Sequence, residues 1–596
     1  MAVAACAMTG CSLAEDDVTD CLPTDSAATS EVSVSLLLST PSAGRDSKAA
    51  TNPTGGETGD GSEAGQTYED AVEDLTVFFF PSSGATDATE VTASAYFSNT
   101  QLTTTTDGYR TNAVQVAGLT PGVTYGLLVI ANTGDVRSAL GTTLGNIRNY
   151  QFARYPWTQT AGTTDTSYSR FLMSSAEGDE TLTVSTDGGK GTPDNPCLPN
   201  EAVSLERLAA RVDYRTNATS YTLNNTTTGT TYNGTVTIQK AALVNRPNGT
   251  QSPTYLTKRV ATTVGGDVTY FGNETTDATT GIATNYVIEP LTATKTAVTA
   301  TDYDATVWAG YYDNYFRTYG DGIAQNWQNL MTAGTVITDE TNVDWTRVDY
   351  AVESTVGQAN QDSRFVTGIV FSAKFVPTGL SGYTDGATFF ECNGRLYASL
   401  SALMDSYEGS ATSWQRSATE FESMTWEEVR EFANSLTTND PTGYRLYLLA
   451  QAANHLGTYS ETVSATDAAA LTWAAYMSAT HGYSETVTTD GTTVTPVITS
   501  DPAATTNTRL SLSAYGIRTF ENGICYYTYW IKHANDGDDT TKGIMEHAIV
   551  RNNIYKIQVT GVRDLGDDIP SEEDNKLSIV VAVKDWTVLS EENFEF

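Results

Sequence analysis

Two segments at opposite ends of this chain repeat apolar residues at every second position, and a chain patterned this way is committed to strands. Residues 31–39 put Val32, Val34, Leu36 and Leu38 on one face and Ser33, Ser35 and Ser39 on the other, with Leu37 the single break. Residues 577–583 put Leu577, Ile579, Val581 and Val583 at the same period, and Trp586 and Val588 follow beyond an irregularity expected near Asp585. Strict alternation predicts a half-buried strand, because successive side chains leave opposite faces of a pleated backbone. Either segment can therefore pair with one sheet edge and fill the same pockets. Burying four or five such side chains is worth roughly 6–15 kcal/mol gross, at ~1.5–3 kcal/mol each. Ordering a comparable backbone costs about 1–2 kcal/mol per residue. A free exchange of one segment for the other is thus close to balanced, and a cut beside the first would give it a direction. The bland alternative makes the tail the last strand of its own sandwich.

The rest of the sequence is of the same kind. Strands are expected over 75–80, 125–131, 170–174, 203–214, 235–243, 367–376, 524–532 and 554–562, separated by Gly-, Thr- and Pro-rich turns. Helix is scarce. Over 426–436, Thr425 and Glu428 form a capping box ahead of a Trp426, Val429, Phe432, Leu436 stripe. Spacings of four, four and three from Val136 through Leu140, Leu144 and Ile147 predict a second helix over 136–149, and a third is expected over 444–456. Tracts 216–233 and 484–508 read as long loops or exposed hairpins. The fold class is all-β.

Charge narrows the function. With 33 Lys+Arg against 71 Asp+Glu, the net charge of −38 argues against nucleic acid and anionic membrane surfaces, where each phosphate needs a cation. Four widely separated His leave no spacing typical of metal ligands, and no HExxH, GxSxG or phosphate-loop motif occurs. The sequence offers no catalytic residue, no metal site and no cofactor; the chain is not expected to be an enzyme. Acidic turns at 535–539 and 567–574 read as a solvated turn and a mobile hinge.

The N-terminus points to export. Met8-Thr9-Gly10-Cys11 reads as a lipobox, which would make Cys11 the lipidation site and 1–10 a signal, incomplete because it lacks a cationic start. Beyond it, no run of 18 apolar residues occurs. Cys21, Cys197, Cys392 and Cys525 then remain, with three disulfide pairings or none equally open. Residues 40–66 form a Gly/Ser/Thr/Pro-rich stretch whose only cations are Arg45 and Lys48, an exposed loop of the kind proteases reach.

Several colinear pieces resemble the fimbrillins of Bacteroidales type V pili. These are the lipobox, the strand followed by Arg45, the Leu128–Gly134 and Phe171–Ser174 segments, and the Leu205-Glu206-Arg207-Leu208-Ala209-Ala210-Arg211-Val212 run. Residues 389–399, Tyr526 to Trp530, Val550 to Tyr555 and Asp585-Trp586 complete the set. The C-terminal end looks closer to the short-fimbria branch than to the long-fimbria one.

The resemblance implies two β-sandwich domains of transthyretin-like or Greek-key type, over 46–215 and 216–566, the second carrying insertions with a few short helices. It also implies a tether and removable strand over 11–45 and a hinge with donor strand over 567–596. The expected life history is an outer-membrane lipoprotein precursor, cut after Arg45 by an Arg-specific protease (Lys48 as fallback), then assembled with other copies and accessory subunits into a surface fimbrium by donor-strand exchange. Asp46 after the cut departs from the family's usual small or apolar residue. Deleting the tail is expected to leave both sandwiches folded, their cores lying elsewhere. The competing reading is a monomeric surface lipoprotein or tip adhesin that binds glycans or host or bacterial surface ligands, its 10% aromatic residues stacking on sugars.

Overall fold

The computed structural model describes residues 31–39, 62–105, 108–160, 167–175, 180–225, 232–258, 289–291, 309–319, 324–339, 341–356, 361, 364–399, 402–403, 416–436, 442–455, 457–478, 482–490, 493–501, 516–533 and 546–587. These residues build two β-sandwiches in series, and the chain changes from the first to the second at Leu208.

The first sandwich is organised by a nine-stranded sheet. Its spatial order runs Ala93–Phe97, Leu75–Pro81, Thr124–Ala131, Met173–Ser175, Val203–Arg207, Leu37–Ser39, Gly108–Thr111, Leu102–Thr105, with Thr181–Thr183 also on Thr124–Ala131. Leu75–Pro81 reads as a continuous apolar run because both of its faces are covered. Val77 and Phe79 enter the main core with Leu127, Val129 and Leu205, while Phe78 and Phe80 meet Leu140, Leu144 and Ile147 on the far side. That second cluster explains the helical spacing of 136–149, although only Leu144–Arg148 is helix. Gly141 sits at φ +85° and breaks the path, and Thr143 then caps the short helix by accepting from Asn146 N at 3.2 Å. The helix expected over 136–149 is thus a turn and a shorter helix sharing one apolar stripe. At 170–174 the strand begins only at Met173, because Arg170 holds a positive φ of 51°.

The strand expected over 203–214 is likewise two strands. Val203–Arg207 belongs to the first sheet, Leu208 is buried, and Ala209–Thr216 crosses into the second sandwich, ahead of Arg215. There it lies between Asp344–Val352 and Asn553–Val562 in a sheet of order Thr335–Thr338, Asp344–Val352, Ala209–Thr216, Asn553–Val562, Leu577–Thr587, Ser62–Ala64. The facing sheet runs Tyr221–Asn225, Tyr232–Val244, Gly368–Pro377, Ile524–Trp530. Val212, Val236, Phe371, Phe375, Tyr527, Ile557 and Val581 fill the space between them. A hairpin of Phe389–Cys392 and Arg395–Tyr397, turned at Asn393-Gly394, leads to a helical insertion that includes Trp426–Ser435 and Thr442–Ala453 and has its own core. The capping box at Thr425 is formed as the sequence predicts, with Glu428 accepting from Thr425 N at 2.7 Å. Of the two readings open for the tracts 216–233 and 484–508, loops or hairpins, paired strands are what forms: Tyr221–Asn225 on Tyr232–Val244, and Gly482–Asp490 on Thr493–Asp501.

A buried ionic knot joins the sandwiches. Arg211 is fully buried and contacts Glu63 at 2.5 Å, Glu69 at 2.9 Å and Asp213 at 3.0 Å. Arg207, also fully buried, pairs with Asp70 and donates to the Glu69 carbonyl at 3.0 Å. Lys556 pairs with Glu63 and reaches Asp339 at 3.0 Å. Burial disfavours the charge on Arg211, but Asp213, Glu69 and Glu63 more than offset it and hold the guanidinium ionised. Burial pushes Asp70 up to about 6 even against Arg207. Both arginines come from the Leu205–Val212 run, so that run is a double socket for the acidic segment 62–74.

Two predictions follow from this packing. Arg211→Met leaves three buried carboxylates without their common partner and should cost about 3–5 kcal/mol, read as a lower midpoint in denaturant unfolding; an unchanged midpoint would contradict the knot. His533 is buried, with Nδ1 2.9 Å from the Tyr555 hydroxyl, and burial, aided by Lys258, pushes it down to about 3. A depressed imidazole means that the unfolded chain binds the proton first. Stability should therefore be full above about pH 6.5 and fall as pH drops from there toward 3. His533→Asn should flatten that slope in unfolding experiments run as a pH series.

Candidate strand-exchange groove

Segment 31–39 is an internal strand of the first sandwich. On one side Val32, Ser33 and Val34 run antiparallel to Val116, Gln115 and Val114, and Leu37 and Leu38 to Arg110 and Tyr109. The shift between these registers falls at Ser35 and Leu36, where Thr111 makes the local contacts: Leu36 N donates to Thr111 Oγ1 at 2.8 Å, Ser35 Oγ to Thr111 O at 2.6 Å and Thr111 N to Leu36 O at 3.0 Å. On the other side Ser33 N donates to Gly191 O at 2.9 Å, Cys197 N to Ser33 O at 2.8 Å and Ser35 N to Cys197 O at 3.0 Å. Leu38 and Ser39 then run parallel to Val203 and Ser204. Gly191 comes so close that a Cβ there would stand 3.2 Å from Val32 Cγ1.

Burial departs from the sequence expectation in one respect. Val32, Val34, Leu36 and Leu38 are at most 3% exposed, as alternation predicts, but Ser33 and Ser35 are only 1% exposed. The strand is closed on both faces rather than half-buried. Small hydroxyl side chains permit this, since the Ser35 hydroxyl finds a buried acceptor in Thr111 O. Leu37, the residue that breaks the alternation, is the half-buried exception.

Downstream of this strand the chain is clamped. Ser62–Ala64 runs parallel to 585–587 of the tail, and its Glu63 enters the ionic knot; the short helix Thr67–Asp70 adds Glu69 and Asp70 to the same knot. Cys11, Arg45 and Lys48, the positions expected for lipidation and processing, lie outside the described residues. The acidic turn at 535–539 also lies outside them.

The tail is one unbroken strand, Leu577–Thr587, paired antiparallel with Asn553–Val562. The irregularity expected near Asp585 sits instead in its partner, between Val559 and Gly561. Leu577, Val581 and Val583 are buried and Ile579 packs against the same core, so the tail's apolar face belongs to the second sandwich. Removing the tail would therefore open that core, contrary to the expectation that both cores lie elsewhere. Trp586 lies within the strand, and Val588 outside the described residues.

The segment expected as a mobile hinge is pinned. Asp567 exchanges backbone hydrogen bonds with Tyr526 at 2.8 and 2.9 Å, and its carboxylate pairs with Lys576 and accepts from Ser571 Oγ at 2.6 Å. Asp568 accepts from Thr519 N at 2.8 Å, and Glu572 pairs with Arg317 at 2.6 Å. Acidic side chains that looked free in the sequence find partners distant along the chain. Chemically, the arrangement is a groove that binds an extended strand from both edges. Sequence reasoning missed Thr111, Cys197 and Glu63; the small Ser33 and Ser35 carried the sign that both faces close.

Comparison with known proteins finds matches at both ends of the chain. Residues 47–239 match the family model of the major fimbrial subunit protein FimA, and residues 518–592 match that of the C-terminal region of fimbrillin, described as major fimbrial subunit protein type IV. No curated protein matches the sequence. Among solved structures, a fimbrilin (FimA) of Porphyromonas gingivalis is similar at 11% identity and a TM-score of 0.34, over 94% of this chain and 98% of that one. The tip fimbrial protein Mfa3 of Porphyromonas gingivalis, truncated at its C-terminus, is similar at 11% identity and a TM-score of 0.30, over 93% of this chain and 100% of that one. A protein described as a cell adhesion protein of Bacteroides eggerthii is similar at 11% identity and 0.30, over 94% and 97%. These matches do not single out the short-fimbria branch, and no residue role is transferred from the three structures. The chain matches the fimbrillin families of fimbrial subunits over 47–239 at one end and 518–592 at the other.

Proposed function

We propose that this chain is a structural stalk subunit of a cell-surface fimbrium. It is exported as a lipoprotein through Cys11, cut after Arg45, and polymerised when the tail of another copy takes the place of segment 31–39. The observation that carries this reading is the position of that segment: bonded on both edges, closed on both faces, and joined to the remainder only through residues 40–61. While tethered, the strand faces its groove at an effective concentration on the order of millimolar. A cut at Arg45 turns it into a separate peptide that dilutes away. The clamp through Glu63, Glu69 and Asp70 keeps the new N-terminal region in place after the cut. The fimbrial family match begins at residue 47, just past Arg45. The partners are other copies of the chain, an Arg-specific protease and accessory fimbrial subunits; the setting is an outer-membrane precursor that becomes a surface fibre.

Limited digestion of the purified chain with an Arg-specific protease, followed by electron microscopy, tests the reading. Mass spectrometry should find a new N-terminus at Asp46, and filaments should form. Arg45→Ala should stay monomeric under the same treatment; filaments from that variant would defeat the mechanism. Leu36→Ala should weaken the resident strand by about 2–5 kcal/mol and so speed its loss from the cut chain, followed as release of the 11–45 peptide.

A further inference from the structure

We infer that the depression around the turn and short helix of 139–151 binds a neutral saccharide unit, with Asn146, Asn149 and Tyr150 as its contact residues. The inference is independent of strand exchange, since none of the three belongs to segment 31–39, to its walls or to the tail.

The depression has a volume of about 760 Å³, within the range of small-molecule sites. Leu140, which packs into the apolar cluster of Phe78 and Ile147, forms part of its lining. Backbone bonds fix the rest. Leu144 N donates to Thr89 O at 2.9 Å, Gly145 N to Asp87 O at 2.9 Å, and Leu256 N to Tyr150 O at 3.0 Å. Gly145 is packed so tightly that a Cβ there would stand 2.7 Å from Asp87 O. The walls exist before a ligand arrives, so binding does not have to order them.

Two amide side chains three residues apart share this lining, and each is half committed. Asn146 Oδ1 accepts from Thr143 Oγ1 at 2.8 Å and from Thr143 N at 3.3 Å. Asn149 Nδ2 donates to Gly145 O at 2.8 Å. A backbone N–H and a backbone carbonyl therefore decide which end of each amide is which. Among the described residues nothing bonds to Asn146 Nδ2 or to Asn149 Oδ1. The site thus keeps one donor and one acceptor on the same side of a helical turn. The Tyr150 ring, 37% exposed, lies in the same lining.

That pairing selects the ligand. An anion needs donors and a metal cation needs acceptors, whereas a hydroxyl both gives and accepts. Neighbouring hydroxyls of a sugar ring can use Nδ2 and Oδ1 together while the ring's C–H face lies on an aromatic side chain. No charged residue is among those lining the depression, and Arg148 of the same helix is buried beside Asp87 at 3.0 Å. A net charge of −38 further opposes an acidic sugar. In a fibre the site would recur in every copy, so weak single contacts would add up to firm attachment.

Ligand-observed NMR on the uncut chain tests this, with the methyl glycosides of glucose, galactose, mannose and N-acetylglucosamine at millimolar concentration. At least one should bind, and the methyl glycoside of N-acetylneuraminic acid should not. Asn146→Asp keeps an oxygen for Thr143 and removes the free donor; Tyr150→Ala removes the ring. Each variant, measured below its unfolding midpoint, should bind about tenfold more weakly. No binding by any neutral glycoside, or binding unchanged in both variants, would overturn the site. Equal binding of the acidic glycoside would overturn the selection for a neutral ligand. Immobilised neutral host glycans and neutral bacterial polysaccharides then separate the two sources, by which of them retains wild type and releases Asn146→Asp; equal retention of both proteins on both supports would again overturn the site.

Discussion

The two-edged pairing of segment 31–39 is the constraint on which the first sandwich depends. A sheet with a missing internal strand leaves two rows of backbone donors and acceptors without partners, and buried ones cost about 1–3 kcal/mol each. Here those rows belong to 108–116 on one side and to Gly191, Cys197 and Val203–Arg207 on the other. Four apolar side chains of the same segment fill the core beneath. The domain is therefore never indifferent to whether the position is occupied. Its occupant is nonetheless joined to the rest of the chain only through a Gly/Ser/Thr-rich stretch containing Arg45. In the proposed function, a position that must be filled and a segment that is cut free from it would together join one copy to the next.

In the proposed exchange, the ionic knot would make the removal of that segment local. Without Glu63, Glu69 and Asp70 in the sockets of Arg207, Arg211 and Lys556, everything before Leu75 could leave with the resident strand. With them, the chain downstream of the loop is fixed to both sandwiches at once. A buried network of this kind is poor evidence for raw stability, since charges removed from water lose much of what pairing returns. It does specify geometry, because each carboxylate is satisfied in one arrangement, and the knot also fixes Ser62–Ala64 on the end of the tail strand.

Much of this was legible in the residues. Period-two segments such as 31–39 and 577–583 announce strands, and the alternation alone marks which apolar side chains reach the core. The capping box at Thr425 was equally plain, because its contacts are local. What escaped the sequence depends on contacts distant along the chain. Ser33 and Ser35 read as a solvent face, yet they are buried because the segments around Gly191 and Thr111 close over the strand. Acidic residues 567–574 read as a free hinge, yet Arg317, Thr519, Tyr526 and Lys576 hold them. The stripe over 136–149 has helical spacing but is split by Gly141, since a shared apolar cluster can be reached by more than one backbone path. For the candidate groove, the occupant was visible in the sequence and its walls were not.

The central claim is that one groove holds the resident strand first and another copy's tail afterwards. Backbone hydrogen exchange at 108–116 and 197–205 tests it most directly, in the uncut chain, in the cut monomer freed of 11–45, and in the assembled fibre. The account predicts strong protection in the uncut chain, loss of protection in the freed monomer, and its return in the fibre. Protection that persists in the monomer after 11–45 has left, or that stays absent in the fibre, would contradict it.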